Sequence, residues 1–446
     1  SQVQVLTAEQ IQAMSKVQLS HLETADLALL NTVQIRAIET ADISGLTTAQ
    51  IVALTTEQVA ALTTAQIQAL TTSQFQALEV ADLAALTTAQ IQAMETRDLA
   101  VLSTAQIAAL TSDQVQALTT AQIVALTTAQ VPALDAADFA LLSTTQLVAM
   151  QTRDVAVLTS DQIVALTTEQ AAALTSSQLA ALTTAQMVRL EIADLQAITT
   201  TTLQGLSAEQ AAALTTAQVA ALTTAQLVAL GTDDVAALTT AQIVALGTDQ
   251  VAVLTTAQIQ ALTTAQFAAM EVADFAELTA SQIGVIETAD IAVLTTAQVV
   301  ALTTAQAAAL TSSQVAALST AQLVQMEVTD LAELSTAAIV GLTTAQAAAL
   351  TNAQIQALTA VQLQAIETRD IAALTTVQIQ NLTTNQFQAL TTAQITALTS
   401  AQVQALETAD LAALSTAQIR ALGTSAMAAL NDNAITALGS AQLAAL

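Results

Sequence analysis

The sequence predicts an all-α solenoid of very short helices, one for each eight residues. Three observations carry the prediction: an unbroken eight-residue phase, a helix start written into every octad, and a core composition nearly without aromatics. Residues 118–134 read LTTAQIVALTTAQVPAL, and variants of the same octad fill the 446-residue chain. With positions a to h counted from Leu6, Leu, Met or Ile recurs at a through Leu446, giving 55 octads with no residue inserted or deleted. A disordered tract would have no reason to keep that phase.

One long helix fails a geometric test, because eight residues advance about 800° and the apolar stripe would rotate by about 80° per octad. Each octad instead carries its own helix start. Thr119 at b suits the N-cap and Gln122 at e suits N3, the pair that forms a capping box, while Leu118 and Ile123 stand where a hydrophobic staple needs them. Position b varies to Asn31, Asn431, Asp135, Gly231, Gly247, Gly423 and Gly439, all compatible with a cap. Position e is Gln or Asp in 51 octads, the exceptions being Thr202, Ala338, Ala426 and Ala434. The single proline, Pro132 at g, costs less in a helix of one or two turns than in a long one.

Helices this short are unstable alone and must stack, which is the logic of a solenoid. Positions a and f supply large apolar side chains and d and h mostly Ala, so small residues are expected where backbones approach. A β-solenoid would suit Ile, Val and Thr, but Ala, Gln and Leu dominate and most octads lack corner Gly or Asn. Residues 1–446 are read as one continuous solenoid, with 423–446, the part furthest from consensus, as candidate capping repeats.

Asp occupies e at Asp26, Asp42, Asp82, Asp98, Asp138, Asp154, Asp194, Asp234, Asp274, Asp290, Asp330, Asp370 and Asp410, always 16 or 40 residues apart. If these residues lie along one side of the coil, the gaps select about 2.4 octads, or 19.2 residues, per turn of a rod. Block duplication would copy the same spacing without selecting a face. Most of these octads also carry an acid at b: Glu23, Glu39, Glu79, Glu95, Asp135, Glu191, Glu271, Glu287, Glu327, Glu367 and Glu407. The plain reading is a solvated acidic face, favoured by the helix dipole. The functional reading is a stripe that binds Ca²⁺ or docks a partner, bridging rods more readily than closing a site within one chain. Arg97, Arg153 and Arg369 stand at d within acidic octads, which suggests ion pairs.

Composition narrows function. Lys+Arg 7 against Asp+Glu 35 gives a net charge of −28, which argues against nucleic acid and anionic membrane as partners. No apolar run reaches the roughly 20 residues needed to span a bilayer, so no membrane insertion is expected. Cys is absent and His21 is the only histidine, so thiolate chemistry and histidine metal clusters are excluded. His21 reads as a surface residue, and the Met anchors Met14, Met94, Met150, Met270 and Met326 read as core. The carboxylate pairs match glycosidase acid and base residues in type alone, because a pair repeated so often is not a singular site. Thr rows at b and c could order water, but b is engaged in capping.

The octads LTTAQIVA and LTTAQIQA resemble the LTTAQ-type tandem repeats of very long proteobacterial proteins, often loosely labelled adhesins or haem-utilisation proteins. The resemblance implies a secreted or surface-exposed protein. One His with no Tyr or Cys leaves almost no axial ligands for haem. The expectation is a structural, non-catalytic extracellular rod (fibre, sheath or adhesin stalk) that associates with itself or with other surface proteins, without a resident cofactor. The alternative is a cation-responsive or partner-docking module.

Overall fold

The computed structural model describes residues 2–446. They form two compact units, Ser1–Leu222 and Thr223–Leu446, and the same architecture holds within each taken by itself. Among the described residues there are 54 α-helices of four to six residues and two 3-10 segments, Gln2–Val5 and Val131–Ala133, with no strand. This is the helical repeat solenoid that the octad predicts.

Each helix starts as its sequence dictates. Thr119 is an extended N-cap whose hydroxyl accepts from the Gln122 N–H at 3.2 Å, while the Thr119 N–H donates to Gln122 Oε1 at 2.9 Å. The next anchor, Leu126, leaves the helix at φ −59° and ψ 140°, so two extended residues, a and b, make the corner between helices. No described residue has positive φ, which is why the corners need no Gly or Asn. Pro132 changes its octad locally: with no N–H to donate, the segment narrows to the 3-10 turn Val131–Ala133. Gln130 still reaches the Leu99 and Leu102 carbonyls at 2.8 Å, so the stacking survives.

The stack has a different period from the one the Asp spacing suggests. Helix Thr88–Ala93 packs on Thr64–Ala69 and on Ser112–Ala117, three octads away on either side, and the same interval recurs within both units. Side-chain bonds between turns join residues 25 to 31 apart, as in Arg36 to Ala61 and Gln122 to Ile91. One turn therefore takes between three and four octads, and the expected 19.2 residues per turn is corrected.

Position f lines the centre: Ile67, Phe75, Leu83 and Ile91 are fully buried, and the anchors at a close the layer around them. Each such side chain contributes roughly 1.5–3 kcal/mol. Position d is also corrected, since Ala121 and its equivalents are exposed and it is e that enters the interface. In the last octads, Ile435 and Leu443 at f are exposed.

Candidate functional site: the acidic octads

In an ordinary octad, the e side chain joins three segments. Gln122 is 2% exposed, and its Nε2 donates to the carbonyls of Ile91 at 2.7 Å and Met94 at 3.0 Å, at the C-terminal end of a helix in the preceding turn. Its Oε1 accepts from the Thr119 N–H and hydroxyl at 2.9 and 3.1 Å. Both amide hydrogens and both oxygen lone pairs are satisfied, so a polar group sits inside an apolar stack without a desolvation penalty left over. The same pattern holds for Gln178, Gln258, Gln314 and Gln354.

Asp in that position cannot do this. It lacks both amide donors and is one methylene shorter. Asp82, Asp98, Asp154, Asp194, Asp234, Asp274, Asp290, Asp330, Asp370 and Asp410 are nonetheless buried, while Asp26, Asp42 and Asp138 are half-buried. Buried carboxylate oxygens without a hydrogen bond include those of Asp82, Asp98, Asp154, Asp194, Asp274, Asp330 and Asp370. Some find a partner on the preceding turn: the Lys16 N–H donates to Asp42 at 3.0 Å, the Thr384 hydroxyl to Asp410 at 3.1 Å, and the Ser112 hydroxyl to Asp138. Asp234 instead accepts from the Gly231 N–H in its own octad at 2.9 Å.

The acids at b behave differently. Glu79, Glu95, Glu191, Glu271, Glu287, Glu327 and Glu407 are exposed N-cap residues that make no side-chain cap bond. The same absence of a cap bond holds at Glu23, Glu39 and Glu367, whereas Asp135 accepts from the Ala137 N–H. The expected solvated stripe is thus corrected in two ways. The Asp side chains point inward, and with three to four octads per turn, two octads rotate the chain by about 180–240° and five by about 90–240°. Neither gap returns to the starting direction, so successive Asp residues do not share a side.

Burial raises the Asp carboxyl pKa, and the neighbouring Glu raises it further: Asp82, Asp194, Asp290 and Asp330 are pushed from 3.8 to about 6. At Asp98 and Asp370 burial also dominates, opposed by Arg97 and Arg369. These arginines stay within their own octads: Arg97 Nε lies 2.8 Å from Glu95 and 3.6 Å from Asp98, and Arg369 Nε lies 2.7 Å from Glu367 and 3.7 Å from Asp370. Arg153 Nε lies 3.5 Å from Asp154.

A folded-state pKa above the unfolded value means that the folded chain binds more protons between about pH 4 and 6, so stability falls as pH rises through that window. In EDTA, the chain is expected to melt several degrees higher at pH 4.5 than at pH 7.5. Replacing Asp82, Asp194, Asp290 and Asp330 by Gln places at e the residue that most octads carry there. That variant should melt higher than the parent at pH 7.5 and show a shallower pH dependence, both measurable by thermal circular dichroism.

Sequence reasoning missed one coupled feature. Gly45, Gly205 and Gly341 stand at h in the octads where e is Asp42, Thr202 and Ala338. A Cβ on Gly341 would lie 2.0 Å from the Ser312 carbonyl oxygen, and one on Gly205 2.5 Å from that of Ser176. At these octads the preceding turn stands too close for a Cβ at h, whereas the other Asp octads keep Ala, Val, Leu or Glu there, so a short residue at e permits the close approach without requiring it. The signal was the coincidence of the two departures.

Elsewhere, His21 is exposed with Nδ1 2.7 Å from the Val17 carbonyl, and Met94, Met150, Met270 and Met326 are buried anchors. Among the described residues, no helix is long and apolar enough to cross a membrane.

The ALTTAQ repeat family model matches ten times, at residues 19–56, 35–72, 91–128, 131–168, 187–224, 227–264, 283–320, 323–360, 363–400 and 403–439. The chain belongs to the ALTTAQ repeat family. Each match begins seven residues before an acidic-octad Asp, from Asp26 and Asp42 to Asp370 and Asp410. Each matched unit thus opens with an acidic octad at a fixed place, and copying of such units spaces ten of the thirteen Asp residues without a shared face; Asp82, Asp154 and Asp274 lie outside that opening position. Comparison with curated proteins gives no match.

Proposed function

We propose that the chain is a structural, non-catalytic element of an extracellular fibre, sheath or adhesin stalk, associating with itself or with other surface proteins. The observation that supports this reading is repetition. The same capped helix and the same buried amide link recur in octad after octad, so any property of the surface grows with repeat number and none belongs to a singular place. The acidic composition and the family resemblance agree with a surface location, and burial of most of the e-position Asp side chains leaves the Glu at b and the exposed acids at d, such as Glu57 and Asp113, as the acids a partner would meet.

Immunogold labelling and protease shaving of intact source cells test the proposal. Label outside the cell, removed by shaving, is expected, whereas label confined to the cell interior would overturn it. A second arm removes whole octads in register from the native gene. Surface display should persist while the height of the labelled layer falls with the number removed, and an unchanged height would reject the spacer role.

A further inference from the structure

Four acidic octads combine an unpartnered buried oxygen with no cation of their own. Asp82, Asp194, Asp274 and Asp330 are 2–3% exposed, each has one carboxylate oxygen without a hydrogen bond, and none has Arg at d. Each is preceded by a Glu three residues earlier. In ordinary octads the space between the e side chain and the preceding turn is filled by the Gln amide nitrogen, as for Gln90, which lies 3.2 Å from the Val59 carbonyl and 2.7 Å from that of Leu62. Asp stops short of that point. The corresponding anchor carbonyl, Leu54 for Asp82, then receives no hydrogen bond among the described residues. Carboxylate and carbonyl oxygens are left around one gap.

Arg97 and Arg369 show that a cation can stand beside both acids of one octad. One Nε stands within ion-pair distance of both acids of its octad, 2.8 and 3.6 Å at Arg97 and 2.7 and 3.7 Å at Arg369, so a single cation can reach the exposed Glu and the buried Asp together. Where Arg is absent, the Glu charge acts on the buried Asp with no cation at d of the octad.

We propose that the octads of Asp82, Asp194, Asp274 and Asp330 each bind one divalent hard cation of the Ca²⁺ class, held between turns. The Asp82 site would use the Asp82 and Glu79 carboxylates and the carbonyl oxygens of Ile51 and Leu54. Two carboxylates match a divalent charge. With two carbonyl oxygens and water they reach the six to eight oxygens that Ca²⁺ takes. The cation does between turns what the Gln amide does in other octads, and it does so within one chain.

Calorimetric titration of the intact chain with CaCl₂ alone tests this. About four ions per chain are expected, with dissociation constants roughly in the 10⁻⁴–10⁻³ M range of extracellular Ca²⁺ modules, and with a melting temperature that rises in CaCl₂ and returns in EDTA. Changing all four Asp residues to Gln places at e the residue that most octads carry there, with folding of the variant checked by circular dichroism, and binding should be lost at least tenfold. Removing the same number of charges at exposed d positions (Glu57→Gln, Asp113→Asn, Asp161→Asn, Glu169→Gln) should leave binding unchanged. Arg97→Ala should add one site. No binding to the parent chain, equal effects of the two fourfold variants, or no added site in Arg97→Ala would overturn the proposal.

Discussion

Gln122→Glu is expected to destabilise the surrounding turns by about 3–5 kcal/mol at pH 7, more than any other change of one functional group in an octad. The substitution keeps the shape and the Oε1 that accepts from Thr119, but it removes both donors to Ile91 and Met94. A carboxylate then stands where an amide nitrogen lay 2.7–3.0 Å from two carbonyl oxygens, buried and unpaired. Gln122→Leu loses the same bonds without burying a charge and should cost less, about 2–3 kcal/mol for the orphaned backbone groups. Urea unfolding at pH 7 and pH 4.5 separates the two. Protonation returns one donor to the Glu variant, so it should recover on acidification while the Leu variant does not. Equal losses at both pH values would show that the inter-turn bonds carry little of the stability.

Gly341→Ala is expected to cost about 1–3 kcal/mol, a large penalty for one methyl group. The new Cβ would meet the Ser312 carbonyl oxygen at 2.0 Å and its carbon at 2.6 Å, both backbone atoms that no rotamer change can move aside. Gly423, with nothing within 4 Å of the corresponding point, provides the control and should change little. The close approach occurs in the octad of Ala338, where no Gln side chain reaches the preceding turn. Combining Gly341→Ala with Ala338→Gln writes LSTAQIVA, one residue from the LTTAQIVA that recurs in the chain, and should recover most of the loss. Chemical denaturation of the two single variants and the double variant measures the coupling. Additive losses would mean that e and h do not jointly set the layer spacing.

What was legible in the sequence was local. The N-cap Thr119, the N3 Gln122 and the extended corner at Leu126 are decided within eight residues, so propensity and spacing suffice to place them. The period of the coil is decided elsewhere, by how a Gln side chain reaches carbonyls 28 and 31 residues back, and no hydrophobic pattern records that reach. The same blindness made Gln122 look like a cap residue only, although it is as buried as the core. The Asp rhythm was misread because a copied unit and a shared face produce the same spacing, and only the inter-turn contacts distinguish them. The acidic octads themselves, Glu79 with Asp82 and their equivalents, are visible in the sequence. Their depth is not, since Glu and Asp on one short helix turn read alike in sequence while one faces solvent and the other the preceding turn.

Cysteine pairs test the central claim, a turn of three to four octads tied by the e side chain, because the native chain has no cysteine to confuse the result. Thr384 and Asp410 lie 26 residues apart and touch through a 3.1 Å hydrogen bond, whereas Asp274 and Asp290, 16 residues apart, would be neighbours only in a coil of about 2.4 octads per turn. Both pairs are changed to Cys and the yield of intramolecular cross-link with a short bismaleimide is measured on the folded chain. The account predicts rapid cross-linking of Thr384→Cys/Asp410→Cys and little at Asp274→Cys/Asp290→Cys. The reverse order would contradict it.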